Sequence, residues 1–146
     1  MVRKNALFVI VVLLATACLE EPDCYQLNNE IIGIAFKKLE NSSADTVTFG
    51  LQVVEPHLIF ADTTLSRLFF PLNYFTDETT LVFAQESTVD TLQLTYLSQA
   101  QFVSEDCGEK FVLSKLRVGY HSFDSVRLVI DTPTQNGSVV NLEIFQ

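Results

Sequence analysis

From Glu30 onward, apolar and polar positions alternate with a period of two, in short runs separated by polar, turn-forming clusters. A strand sends successive side chains to opposite faces, so this alternation marks strands with one face in a core and the other in solvent. Ile32, Ile34 and Phe36 make the first run, and Val47, Phe49, Leu51 and Val53 the second, after the turn-rich Asn41-Ser42-Ser43-Ala44. Leu81 and Phe83 begin another, which Glu86-Ser87-Thr88-Val89 joins to Leu92, Leu94 and Tyr96. Gln101-Phe102-Val103 precedes a turn at Glu105-Asp106-Cys107-Gly108, and Phe111 to Tyr120 reads as the strand beyond it. His121-Ser122-Phe123-Asp124 turns the chain into Val126, Leu128 and Ile130. Asn136-Gly137 is a hairpin signal, because both central residues of a type I′ turn take positive φ, and it leads into Val140, Leu142 and Ile144. Eight or nine short strands without a helical period predict an all-β domain over residues 30–146, an antiparallel two-sheet sandwich of immunoglobulin-like or Greek-key type.

The pattern is least regular from Glu55 to Thr80. The run from Leu65 to Phe75 (LSRLFFPLNYF) is dense in aromatics and interrupted by Pro71, which restricts it to an edge or crossover position. Most of these side chains are expected to close one end of the core. Exposed together, Phe69, Phe70, Tyr74 and Phe75 would form a surface for a partner.

A different pattern precedes the domain. Arg3 and Lys4 are followed by an uncharged run, Ala6 to Ala15, about ten residues long and therefore too short for a stable bilayer span, which needs roughly twenty. Ala15-Thr16-Ala17-Cys18 resembles the lipobox of bacterial lipoproteins, with Ala15 where leucine is usual. The expectation is a signal-peptide helix over residues 1–17, a lipidated arm over 18–29 and diacylglycerol (palmitate-type acyl chains) on Cys18. An ordinary secretory signal cut after Ala17 is the alternative. Leu19 behind the cysteine lacks the aspartate of inner-membrane retention, and Glu20-Glu21 resembles an outer-membrane export tag. Outer-membrane anchoring through lipid follows, facing either the periplasm or the outside.

Charge and cysteines refine this picture. Removing Arg3 and Lys4 reduces nine Lys and Arg to seven, against eighteen Asp and Glu, for a net −11. Such acidity excludes nucleic acid as a natural partner. With Cys18 assigned to lipid, Cys24 and Cys107 remain. Outside the cytoplasm they are expected to form a disulfide, closing a long loop that stabilises by ~4–5 kcal/mol in the chain-entropy picture; the alternative is two free, buried thiols.

Taken in order, these features resemble an uncharacterised family of small Bacteroidota lipoproteins. The resemblance rests on Cys18 followed closely by Cys24, a first strand ending near Phe36, Pro71-Leu72-Asn73, Asp90-Thr91-Leu92, Cys107-Gly108 and a final strand containing Asn141. The chain departs from that pattern in having Glu30-Ile31 where threonine-proline is usual. The resemblance implies a compartment and a class but no chemistry.

Few residues stand in patterns that carry chemistry. Asp precedes Ser or Thr at Thr46, Thr63, Thr91 and Ser125, which resembles the O-glycosylation acceptor pattern of Bacteroidota envelopes. The competing reading is an aspartate that caps a turn just before a strand begins. His121, Ser122 and Asp124 have the residue types of a hydrolytic triad, but three neighbours in one tight turn place a base poorly between nucleophile and carboxylate. His57 stands without a second ligand nearby, and Asp62, Asp77, Glu78 and Asp131 form no calcium-loop pattern. No metal, no cofactor and no catalytic residue is therefore expected. The expected role is non-catalytic binding or structural support in the cell envelope, with a carbohydrate-binding accessory module (partner: a glycan) and a subunit of an outer-membrane complex (partner: an envelope protein) as alternatives.

Overall fold

The computed structural model describes residues 30–53, 58–85 and 87–146. The expected leader and arm, with Cys18 and Cys24, and also His57, lie outside the described residues. The described residues form nine strands: β1 (Ile31–Lys37), β2 (Val47–Val53), β3 (Leu58–Leu65), β4 (Arg67–Pro71), β5 (Glu78–Ala84), β6 (Val89–Ser104), β7 (Gly108–His121), β8 (Ser125–Leu128) and β9 (Leu142–Phe145). They divide into a four-stranded sheet, β4-β1-β9-β8, and a five-stranded sheet, β3-β2-β5-β6-β7. The expected two-sheet, all-β architecture is present. Its neighbours pair antiparallel except β1 and β9, which run parallel from Ile34 opposite Leu142 to Lys37 opposite Phe145.

The alternating residues do what their period requires. Ile32, Ile34, Phe36, Leu68, Phe70, Leu142 and Ile144 from one sheet meet Phe49, Leu51, Leu81, Phe83, Leu92, Leu94, Tyr96, Leu113 and Leu116 from the other in one buried cluster. At its centre Phe36 lies 5.1 Å from Phe49 and 6.1 Å from Phe83, and Phe83 lies 5.3 Å from Phe123 at a near-perpendicular tilt. Edge-to-face packing of this kind adds about 0.5–1.5 kcal/mol per pair to area burial, and here it ties the two sheets together.

Two parts differ from the pattern-based expectation. The irregular stretch before Pro71 contains two strands, β3 and β4, and the chain changes sheets between them at Ser66, whose carbonyl accepts the Phe36 amide at 3.1 Å. Both are edge strands, so pairing along one side sufficed where alternation was weak; Pro71 ends β4 at the sheet edge, where its missing N–H costs nothing. Asn136-Gly137, in turn, is not a two-residue hairpin. Leu128 pairs with Leu142, so the connection runs from 129 to 141, and only Gly137 of the two takes positive φ, at 60°. The excursion folds back, pairing Thr134 with Ile31 through two backbone hydrogen bonds of 3.0 and 2.9 Å.

What holds this excursion is Asn141, which has no solvent exposure. Its Oδ1 accepts the Gly33 amide at 3.0 Å, and its Nδ2 donates to the carbonyls of Ile130 (3.0 Å) and Thr132 (2.9 Å). Its own amide donates to the Gly33 carbonyl at 2.7 Å, and its carbonyl accepts Val129 N–H at 2.8 Å. Gly33 has to be glycine for this approach, since a Cβ there would lie 2.3 Å from the Val139 carbonyl oxygen and 2.6 Å from the Phe69 ring.

Replacing Asn141 by Ala leaves the buried Gly33 amide without its partner and removes two further hydrogen bonds to the Ile130 and Thr132 carbonyls, so urea unfolding should show a loss of about 2–4 kcal/mol. Asn141→Asp should cost at least as much, because a carboxylate cannot donate to the Ile130 and Thr132 carbonyls. Gly33→Ala should also destabilise; stability equal to the wild type in any of the three would remove Asn141 and Gly33 as the clamp.

Candidate functional site

The β6–β7 hairpin outgrows the body of the sandwich. β5 pairs with β6 only over Val89–Thr95, whereas β7 follows β6 as far as Ser104 opposite Gly108. Leu92, Leu94 and Tyr96 are buried, but Gln99 to Val103 are exposed, Phe102 among them. Among the described residues, the hairpin therefore leaves the core with a backbone paired on one side only and with the Gln99–Val103 side chains exposed.

The link between β4 and β5 leans against the base of this projection. Tyr96 donates its hydroxyl to the Asn73 carbonyl at 2.8 Å, and Ser98 donates to the Tyr74 carbonyl at 2.6 Å. Asn73 Oδ1 accepts the Phe75 amide at 3.0 Å, an Asx turn, and the Asp77 carbonyl accepts Tyr96 N–H at 2.9 Å. Local turn chemistry and cross-links to β6 together fix the loop. As a result Tyr74 stacks on Phe111 of β7, with centroids 4.7 Å apart and planes 23° from parallel. Phe75 contacts both rings, at 4.4 and 5.7 Å, yet remains 77% exposed. Tyr74, Phe75, Thr76, Asp77, Leu97, Ser98 and Phe111 line a hollow of about 520 Å³.

A β-bulge shapes the adjoining surface. Thr95 pairs with Arg117 and Leu97 with Ser114, so Lys115 and Leu116 together oppose the single residue Tyr96. Leu116 turns into the core, its amide bonded to the Asp131 carbonyl at 2.8 Å, and Lys115 takes a left-handed φ of 54°. Such a conformation costs a non-glycine residue roughly 1–2 kcal/mol. A second hollow, of about 310 Å³, is lined by Asp77, Glu78, Thr95, Tyr96, Leu97, Lys115 and Arg117. The two hollows share Asp77 and Leu97. Among the described residues the ion pairs are those of Glu143 with Lys37 and Arg127, on the other sheet; neither Lys115 nor Arg117 is paired with a carboxylate.

The four aromatics expected to share a partner surface are separated. Phe70 is 1% exposed within the core, opposite Ile32, so it belongs to no surface. Phe69 projects from the other face of β4, over Gly33 and Gly137. Strand alternation makes this split unavoidable. Tyr74 and Phe75 do stand together, and their partner Phe111, with Lys115 and Arg117, was not among the residues singled out from the sequence. One trace was present: Leu113 and Leu116 break the period of two by a single residue, as a bulge demands.

The other expected positions fall elsewhere. Thr46 and Ser125 are exposed, and Thr63 and Thr91 are half-buried. Asp45 accepts the Thr46 amide through its own carboxylate at 2.9 Å. Ser122 donates to Asp90 at 2.7 Å and accepts the Thr91 amide at 2.9 Å, while the Phe123 carbonyl accepts from His121 Nδ1 at 3.1 Å. Ser122 and His121 are thus each engaged with other groups, and no base–nucleophile pair forms between them. Cys107 lies half-buried in the hairpin turn, its amide donating to Ser104 Oγ at 3.1 Å, and Gly108 beyond it takes a φ of 69°. Among the described residues no group of three or more His, Cys, Asp or Glu side chains is placed to hold a metal ion.

The sequence model of a family described as "Family of unknown function (DUF6452)" matches residues 46–146, a span that includes every strand from β2 to β9 and both hollows. No curated protein and no solved structure matches the chain.

Because glycine adopts the Lys115 conformation without penalty, Lys115→Gly should raise the unfolding free energy by about 0.5–1 kcal/mol in urea. A loss of stability instead would show that the Lys115 side chain itself contributes to the fold.

Proposed function

We propose, for a chain that belongs to the DUF6452 family of unknown function, a non-catalytic binding role in the bacterial cell envelope, exercised from a lipid anchor on Cys18 and through the aromatic hollow at the base of the β6–β7 hairpin. The observation that carries the binding site is Phe75. A phenylalanine exposed to 77% gains little from burial, yet Asn73, Tyr96, Ser98 and the stacked Tyr74–Phe111 pair hold its loop in place. Fixed apolar surface beside a concavity suits recognition better than it suits folding.

The anchor rests on the basic start, the short apolar run and Ala15-Thr16-Ala17-Cys18, and the Bacteroidota-type outer-membrane destination on Leu19-Glu20-Glu21. Five residues separate Cys18 from Cys24. In this reading Cys24 pairs with Cys107 and ties the lipidated arm to the hairpin turn. The sandwich is then held with its hairpin toward the membrane-attached end of the chain, and the hollow opens beside it.

Three measurements test the reading. Globomycin, which blocks the lipoprotein signal peptidase, should make the full-length precursor accumulate; processing that proceeds normally removes the anchor. Alkylation of the denatured, unreduced protein should label no cysteine, and Cys107→Ser should lower stability by about 2–4 kcal/mol; label on both Cys24 and Cys107 removes the bridge. Finally, p-benzoylphenylalanine placed at Phe75 in intact cells should yield a photo-adduct that the same group at Tyr120, exposed on β7, does not. Equal adducts at both positions would remove the hollow as the binding site.

A further inference from the structure

We infer that the occupant of the paired hollows is a neutral glycan, stacked by a pyranose face on Phe75 and hydrogen-bonded along the bulge; the inference rests on the binding role proposed above and names its ligand class. The argument comes from the combination of chemistries lining one continuous surface. On one side stand three rings in mutual contact, with Phe75 open to solvent. On the other stand two carboxylates, Asp77 and Glu78, and two cations, Lys115 and Arg117, none of them in an ion pair with another.

Each simpler ligand class meets an opposing group. An anion would face Asp77 and Glu78, in a chain whose net charge is already −9. A cation would meet Lys115 and Arg117. A purely apolar occupant would strip water from four charged groups and return no hydrogen bond, at a cost of several kcal/mol. A neutral sugar has the matching anatomy: axial C–H bonds form an apolar face for the ring, and equatorial hydroxyls both donate and accept. Carboxylates accept from those hydroxyls while Lys115 and Arg117 donate to them. Hollows of about 310 and 520 Å³ that share Asp77 and Leu97 accommodate more than one sugar ring, within the usual range of roughly 300–1,000 Å³ for ligand sites. The bulge gives Lys115 its place. Lys115 and Leu116 together stand opposite Tyr96, next to the Thr95–Arg117 pair, so both cations reach the same surface.

Affinity electrophoresis of the full-length protein, solubilised in detergent, tests this in gels containing dextran, mannan, laminarin or xylan, with alginate as the polyanionic comparison. At least one neutral polysaccharide should retard the protein. Phe75→Ala should weaken that retardation about tenfold, and Lys115→Gln and Arg117→Gln several-fold each, while Phe69→Ala on the opposite sheet leaves it unchanged. Thermal melts confirm that the exposed-site variants remain folded. No retardation by any of the four neutral polymers, retardation by alginate alone, or full retention by Phe75→Ala would each overturn the glycan assignment. A photo-adduct formed at Phe75 with a protein, alongside failure on all four polymers, overturns the glycan assignment and leaves the binding role standing; no adduct at Phe75 together with failure on all four polymers removes both.

Discussion

A single buried amide governs how the chain closes. The first and last strands run parallel, and β9 follows its antiparallel neighbour β8 only after the long connection 129–141, so the segment before β9 must arrive at the right height beside β1 without a tight turn to guide it. Asn141 supplies the guide. Its side-chain carbonyl and its backbone amide satisfy both polar groups of Gly33, one residue before the parallel ladder begins at Ile34 opposite Leu142. Its amide nitrogen meanwhile gathers the carbonyls of Ile130 and Thr132 from the returning segment. Every hydrogen-bonding atom of that side chain is used, which makes a buried asparagine tolerable in an apolar core.

Closure at this point sets the rest of the architecture. With β9 locked between β1 and β8, the four-stranded sheet has a defined inner face, and Ile32, Ile34, Leu142 and Ile144 meet the phenylalanines of the opposite sheet. The outer face at Gly33 is covered by the Phe69 ring and the Val139 carbonyl. The five-stranded sheet is unequal: four of its strands are seven, eight, seven and sixteen residues long in the order β2, β3, β5 and β6. The surplus of β6 and β7 projects from the domain, and surface left there is available for recognition.

The candidate site uses that surplus. A loop that crosses between sheets is fixed to β6 by Tyr96 and Ser98, an aromatic trio forms where it meets β7, and a one-residue insertion in β7 sets two cations beside two carboxylates. The strain sits at Lys115, whose left-handed backbone no packing requirement of its own explains, since the residue is exposed. Departures from regular sheet geometry of this kind concentrate where a protein contacts something else.

The period-two pattern was enough to establish the all-β class, the two-layer arrangement and most of the inward-facing residues from Ile32 to Ile144, because side chains on a strand alternate whatever its partners are. Pattern could not reach three features, and for one reason: each depends on which segments meet. Edge strands β3 and β4 are held by one neighbour, so their sequences need little alternation. Phe69 and Phe70 look equivalent as neighbours in the chain, and only the sheet sends one inward and the other out. Phe111 and Tyr74 are far apart in sequence, and the stack that makes them a site exists only because Ser98 and Tyr96 hold the crossing loop against the hairpin. Alternation is a property of each strand alone, whereas a binding surface is a property of strands brought together; the first was written in the order of residues, and the second was decided by the closure of the fold.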